Sequence, residues 1–290
     1  MTNPRPALSV ESLYATLQLP SEARLDQRVP KKLFLEQLAA QPSATAPDKR
    51  LVRENLEEFR WLATLKPTSS GLAASINDTY EYLEIAVLSV QMRNQTRSER
   101  PSIRMTQLIH RMVPYPVLLL LQTPETLSLS LAHKRRTLTG EAGKFVLEEL
   151  RSVPFTGPHA DLHLSKILLP SLVLSGLSLP NRSMWAAYSS WMARFVAYDS
   201  ARWLGRFQRA AVLPAFSSDA QVDQHREAQR ELTRLQREET LLRRRLKGEK
   251  QLSRKVEWNT ALKQLLQRRT GLLDVLESNI IIPADGGDLL

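Results

Sequence analysis

The chain has 290 residues, enough for two modest domains and for a sizeable apolar core without disulfide or metal staples. It contains no cysteine, which excludes disulfide frameworks, thiolate zinc sites, iron–sulfur clusters and thiol nucleophiles, and leaves any chemistry to His, carboxylates, hydroxyls and backbone. Lys and Arg number 40 against 30 Asp and Glu, a net +10 that favours anionic partners, while 42% hydrophobic and 24% charged residues exclude wholesale disorder.

Met1 to Ser9 carries Pro4 and Pro6 and no apolar run of signal-peptide length, so a cytoplasmic protein is expected. Ser9 precedes Val10 to Leu17, with Glu11 in the first turn, and this reads as a short capped helix ended by Pro20. A second helix is expected from about Pro30 to Ala40, because Pro is tolerated in a first turn and Leu33, Phe34 and Leu38 share one apolar arc. Gln41 to Asp48, with Pro42 and Pro47, reads as a linker. Leu51, Leu56 and Phe59 then suggest another helix leading into Trp61 and Leu62.

Thr79 to Met92 gives the clearest strand signal, with Tyr80, Tyr82, Leu83, Ile85, Val87, Leu88 and Val90 in near alternation. Gln95 to Arg100 breaks it. Ile103, Leu108, Ile109 and Met112 recur at helical intervals, and Pro114 and Pro116 stop that helix. Val117 to Leu121 and Leu127 to Ala132 are two short strands whose connecting loop, Gln122 to Thr126, is of hairpin length, so they are expected to pair. A basic run, His133 to Arg136, follows the second. Val113 to Leu121 and Ile167 to Leu179 are the most apolar stretches, and both fall short of the roughly 20 residues that span a bilayer.

Residues 156–215 are divided by Pro158, Pro170, Pro180 and Pro214. Trp185, Tyr188, Trp191, Met192, Phe195, Tyr198 and Trp203 crowd into one helix there, which reads as a core helix with snorkelling arginines in preference to a nucleic-acid surface. From Asp219 to Ser278 the chain has no proline. Leu232, Leu235, Leu242 and Leu246 form one coiled-coil-like seam interrupted by Glu239; Trp258, Leu262, Leu265, Leu272 and Leu276 form a second, with Arg269 in its gap. The two phases disagree at Gly248, which fits either a hairpin or one helix with a stutter. The hairpin is preferred because each seam then has a partner within the chain.

Catalytic constellations are incomplete. Gly140, Gly143 and Lys144 are too closely spaced for a phosphate loop, and Phe145 stands where Ser or Thr would bind magnesium. Glu81 and Glu84 raise the question of a metal-dependent nuclease, but Ala86 occupies the position where its lysine would follow Glu84. His159, Asp161 and His163 form the one dense group of ligand types and read as a helix start with exposed histidines. His110 and His133 read as structural or solvated. No serine sits in a glycine-flanked elbow.

Several landmarks combine into one pattern. Arg28-Val29-Pro30-Lys31-Lys32-Leu33-Phe34, Trp61 with Leu65, the strand around Leu83 to Val90, Ile109 to Pro116, Ser130 to Lys134, and GEKQLSRKVEWN over Gly248 to Asn259 together resemble the bacterial domain-of-unknown-function family 4391. The segment Met184 to Trp203 is the departure from that pattern. The resemblance implies a genomic setting beside helicases and DNA methyltransferases of restriction-like antiviral systems. It carries over no catalytic residue.

The expected fold is α+β: a small mixed sheet flanked by helices, then a helical segment and a C-terminal coiled-coil helical hairpin. The expected divisions are 1–155 for the α+β core, 156–215 for the Trp-rich helical segment, 216–278 for the hairpin and 279–290 for a tail. The expected role is a non-catalytic accessory subunit that binds a helicase or methyltransferase, with no cofactor, no metal and no membrane, and with direct DNA binding and homo-oligomerisation through the C-terminal helices left open. The alternatives are a DNA-processing enzyme with a nuclease-related core and a sequence-independent DNA-binding module. Candidate phosphate or partner contacts are Lys31, Lys32, Lys134, Arg135 and Arg136; Lys31 and Lys32 equally fit a solvated helix start, and the 134–136 run a solvated face.

Overall fold

In the computed structural model, which describes residues 16–41, 43–93, 99–137, 145–155, 168, 171–174, 182–205 and 216–278, six strands form one mixed sheet. They are β1 (Arg24–Arg28), β2 (Leu56–Leu65), β5 (Ile85–Met92), β6 (Val117–Gln122), β7 (Leu127–Arg136) and β8 (Phe145–Phe155), hydrogen-bonded in that order. Two short strands, β3 (Ser75–Ile76) and β4 (Glu81–Tyr82), pair separately. All neighbours in the large sheet are antiparallel except β5 and β6. Parallel neighbours need a crossover, and helix α4 (Arg100–Met112), which follows the single-turn α3 (Pro67–Ser70) in the chain, supplies it. The expected α+β class is therefore the observed one, as are the β6–β7 pairing and the helix between β5 and β6.

Two more helices, α1 (Lys31–Ala40) and α2 (Ala46–Asn55), join α4 over one cluster of buried side chains. Phe34 and Leu38 of α1, Val52 of α2 and Met105, Leu108 and Ile109 of α4 meet Ala86, Leu88, Val90 and Met92 of β5 and Val117, Leu119 and Leu121 of β6. Phe34 meets Phe59 of β2 edge to face, with ring centroids 5.3 Å apart. Asp48 joins α2 to α4: it is 3% exposed and accepts two 2.7 Å hydrogen bonds from the Arg104 guanidinium, which holds its carboxyl well below the usual carboxylate range.

Four expectations need correction. The linker is shorter than Gln41 to Asp48, because Thr45 and Asp48 form a reciprocal capping box and Pro47 lies in the first turn of α2. The helix expected to run through Leu56 and Phe59 ends at Asn55, and Leu56 onward is β2. The ladder slips between Leu56 and Glu58, and a bulge of this kind puts residues three apart on the same face. Leu56 and Phe59 therefore both reach the core and imitate helical spacing. The long strand expected over Thr79 to Met92 is two, β4 and β5. The basic run does not follow β7 but lies inside it.

Edge strand β1 escaped the reading because none of its five residues is buried. Asp26 there has a left-handed backbone (φ 48°), its carboxylate accepts from Arg60 of β2 at 2.8 Å, and the ladder slips between Arg24 and Gln27. Most of the expected helix Val10 to Leu17, the Gly140–Lys144 segment and the group His159, Asp161 and His163 lie outside the described residues.

The chain divides into two compact units, Met1–Met192 and Ala193–Leu290, and the division falls inside helix α5 (Met184–Trp203). The Trp-rich helix is a core helix as expected: Tyr188, Trp191 and Phe195 are fully buried. In the second unit, α6 (Asp219–Gly248) and α7 (Leu252–Ser278) form the expected antiparallel hairpin, turning at 249–251. Ala228, Leu232 and Leu276 make its buried base with Trp203, Leu204, Leu272 and Leu273 beside them. Ser200 Oγ lies 2.8 Å from His225 Nδ1 and accepts from Gln229 Nε2 at 2.7 Å, which fixes α6 against the preceding helix.

Candidate functional site

The five basic candidates do not form one surface. Lys31 is turned onto the end of α2, where its ammonium donates to the carbonyls of Arg53 at 2.5 Å and Leu56 at 2.9 Å, as a cation does at a helix C-terminus. Lys32 extends into solvent, its side chain 90% exposed and 4.0 Å from Glu36. Lys134 is buried and donates to the carbonyls of Val113, at 2.5 Å, and Tyr115. Arg136 pairs with Glu81, and Arg135 is half-buried near Tyr80.

Lys134 marks where β6 and β7 part. Their ladder ends at the pair Leu118 and Leu131, and one step further the Tyr188 hydroxyl stands where the next strand bonds would be. It accepts from Ala132 N–H at 2.8 Å and donates to the Val117 carbonyl at 2.8 Å, so a side chain from α5 bridges the open ladder. The Tyr188 phenol thus replaces β6 as the partner of β7 at this fork, satisfying backbone groups that burial would otherwise leave orphaned.

The strand alternation sends neighbouring residues to opposite faces. Ser130 and Lys134 face α4, where His110 Nε2 lies 3.0 Å from Ser130 Oγ and the buried Nδ1 has no hydrogen-bond partner among the described residues. Burial and the adjacent Lys134 ammonium push the His110 imidazole well below its ordinary pKa, and burial lowers Lys134 to about 7. His133 faces the other way, with Nδ1 2.6 Å from the Tyr82 hydroxyl and its ring 4.9 Å from that of Trp185. Tyr80 packs against the same indole, its centroid 4.2 Å from that of Trp185 and its plane tilted by 32°. Burial keeps the Tyr82 and Tyr188 phenols neutral.

The carboxylates around the fork are answered within the chain. Glu81 accepts from Arg136, Glu148 accepts from the Tyr80 hydroxyl at 2.6 Å, and Glu84 lies 4.0 Å from Lys66 Nζ. Ala86 is fully buried in the core. Among the described residues no three of His, Asp and Glu are grouped to hold a metal. The arrangement therefore holds a strand end, with cations and phenols as the clamps. Sequence reasoning named Lys134 but missed Tyr80, Tyr82, His133, Trp185 and Tyr188 as one group; the spacing of Tyr80 and Tyr82 on a strand was the available signal.

The model of the family described as a domain of unknown function (DUF4391) matches residues 17–268. The chain belongs to this family. The DUF4391 match takes in the whole sheet, the fork and most of the helical hairpin, so the segment Met184 to Trp203 lies inside the family's span although no motif was recognised in it. Neither a curated protein nor a solved structure matches the chain significantly. No helix among the described residues is long and apolar enough to cross a membrane.

Proposed function

We propose that the chain is a non-catalytic accessory subunit of a bacterial antiviral, restriction-like DNA-targeting system, working in the cytoplasm by holding a helicase or DNA methyltransferase partner. The observation that supports this reading is the state of the fork. Metal-assisted hydrolysis needs carboxylates that converge with ligand positions to spare. Glu81, Glu84 and Glu148 are instead each engaged by a cation or phenol of the same chain. Lys134, buried at the fork, spends its donors on two backbone carbonyls that fix the approach to β6.

Co-expression with the helicase or methyltransferase encoded beside it, followed by sedimentation velocity, tests the reading. A stable complex is expected, together with no magnesium- or manganese-dependent DNA cleavage by the chain alone. Divalent-dependent cleavage that vanishes in Glu84→Ala overturns it in favour of a nuclease-related enzyme.

A further inference from the structure

The tip of the α6–α7 hairpin differs from its base in both packing and charge. Burial falls along the seam, from Leu232 and Leu235, which are fully covered, to Leu242 and Leu246, which are half-covered. The stretch 241–258, LLRRRLKGEKQLSRKVEW, carries seven Lys and Arg against two Glu. Arg243 and Arg254 pair with Glu239 and Glu249, but Arg244, Arg245, Lys247 and Lys250 meet no carboxylate among the described residues. Glu249 is itself taken up, since it accepts from the backbone N–H groups of Lys250 and Gln251 at 2.8 and 2.9 Å.

Within this cationic tip lies a pocket of about 490 Å³ lined by Leu241, Arg244, Arg245, Gly248, Glu249 and Trp258. Its lining brings an indole and an aliphatic side chain together with two guanidiniums and the already engaged Glu249 carboxylate. Leu252, 76% exposed, and Val256 stand open in the first turns of α7. A flat apolar ring with an anionic group on each side fits this combination: the ring against Trp258 and Leu241, the anions on the guanidiniums. A single-stranded nucleic acid presents that pattern, because its unstacked bases are free to leave the strand while its phosphates track a basic surface.

We infer that the hairpin tip binds single-stranded nucleic acid, seating a base in the Trp258 pocket with the flanking phosphates on Arg244, Arg245, Lys247 and Lys250. The inference goes beyond the accessory reading and does not depend on it. A duplex offers the same phosphates but keeps its bases stacked, and an anionic membrane offers phosphates without a ring for the pocket.

Fluorescence anisotropy of the full-length protein with a labelled single-stranded oligonucleotide, repeated over a range of sodium chloride, tests this. Wild-type affinity is expected to fall steeply with salt, and the fourfold replacement Arg244→Gln, Arg245→Gln, Lys247→Gln, Lys250→Gln to reduce the log–log salt slope by about 3. Trp258→Leu keeps an apolar side chain in the seam, so it is expected to weaken binding roughly tenfold with the salt slope unchanged. Arg50→Gln, on an exposed face of α2, is expected to bind as wild type, and circular dichroism checks that every variant keeps its helices. A fourfold variant with wild-type affinity and slope overturns the inference. So does duplex bound as tightly as single strand with Trp258→Leu indifferent, and so does tip-dependent binding to phosphatidylserine vesicles without binding to DNA. The same fourfold variant is expected to retain the helicase or methyltransferase complex, which separates a failure of the tip from a failure of the accessory reading.

Discussion

Arg269 Nη1 lies 3.3 Å from Glu239 Oε2, so the polar residue that interrupts one seam of the hairpin is met by the polar residue that interrupts the other. Arg243, one turn along α6, donates to the second oxygen of the same carboxylate at 2.8 Å. Glu239 is the more covered member, with a side chain 14% exposed against 41% for Arg269. Replacing Glu239 by Ala leaves two guanidiniums facing one another and is expected to destabilise the hairpin by about 1 kcal/mol. The paired replacement Glu239→Leu with Arg269→Leu is expected to be neutral or stabilising, because it closes the apolar seam and leaves no charge unanswered. Thermal unfolding followed by helical circular dichroism separates the two, and a double variant less stable than the single one sinks the argument.

The decline in burial along the hairpin implies a matching decline in energetic weight. Leu232→Ala, at the covered base, is expected to cost about 2 to 5 kcal/mol, whereas Leu246→Ala near the tip is expected to cost under about 1 kcal/mol. Denaturant titration of the full chain measures both, and equal costs at the two positions contradict the gradient.

Removing the bridging phenol tests the fork. Tyr188→Phe keeps the ring and its volume but leaves Ala132 N–H and the Val117 carbonyl buried without the partner that now closes them. Each orphaned buried group costs about 1 to 3 kcal/mol, so a loss of about 2 to 4 kcal/mol is expected. Hydrogen exchange gives the local readout: the Ala132 amide should exchange faster in the variant, and unchanged protection there argues against the bridge.

Two buried groups tie stability to pH in the same direction. Lys134 has a pKa of about 7 in the folded chain against an ordinary lysine value near 10.4 when unfolded, so between these the unfolded chain binds the extra proton and stability rises with pH. The slope approaches about 1.4 kcal/mol per pH unit within that window. His110 stays neutral when folded, so acidification below its unfolded value, about 6.5, favours unfolding. Lys134→Met should flatten the dependence between about pH 7 and 10, and His110→Leu the dependence below about 6.5. Curves that stay parallel to wild type in these windows remove the assignment, whatever the absolute stabilities.

Legibility in the sequence followed burial pattern. β5, β6, β7 and α4 were readable because one or both of their faces are apolar and prolines mark their ends. The C-terminal hairpin was readable from two leucine seams out of phase, and even its two misplaced polar residues proved to be partners. β2 was hidden by bulges that shift its apolar residues into helical spacing, and β1 by having no buried residue at all. At the fork, Lys134 looked like one member of a solvated basic run, since nothing in a string of four basic residues says which one the strand turns inward. The bulge between His133 and Lys134 and the carbonyls of Val113 and Tyr115 settle that, and both are tertiary facts.

The left-handed turn at Asp26 has a consequence for chains that meet one another. A straight outer strand presents a regular row of free N–H and C=O groups on which a neighbouring molecule can stack its own strand. In β1 the row is broken at its centre: the slipped register bends the strand, and the carboxylate is drawn back onto Arg60. The flanking Arg24 and Arg28 place like charges where an identical strand would bring its own. Self-templated growth of fibres from this side of the sheet is thereby disfavoured by backbone shape and charge together.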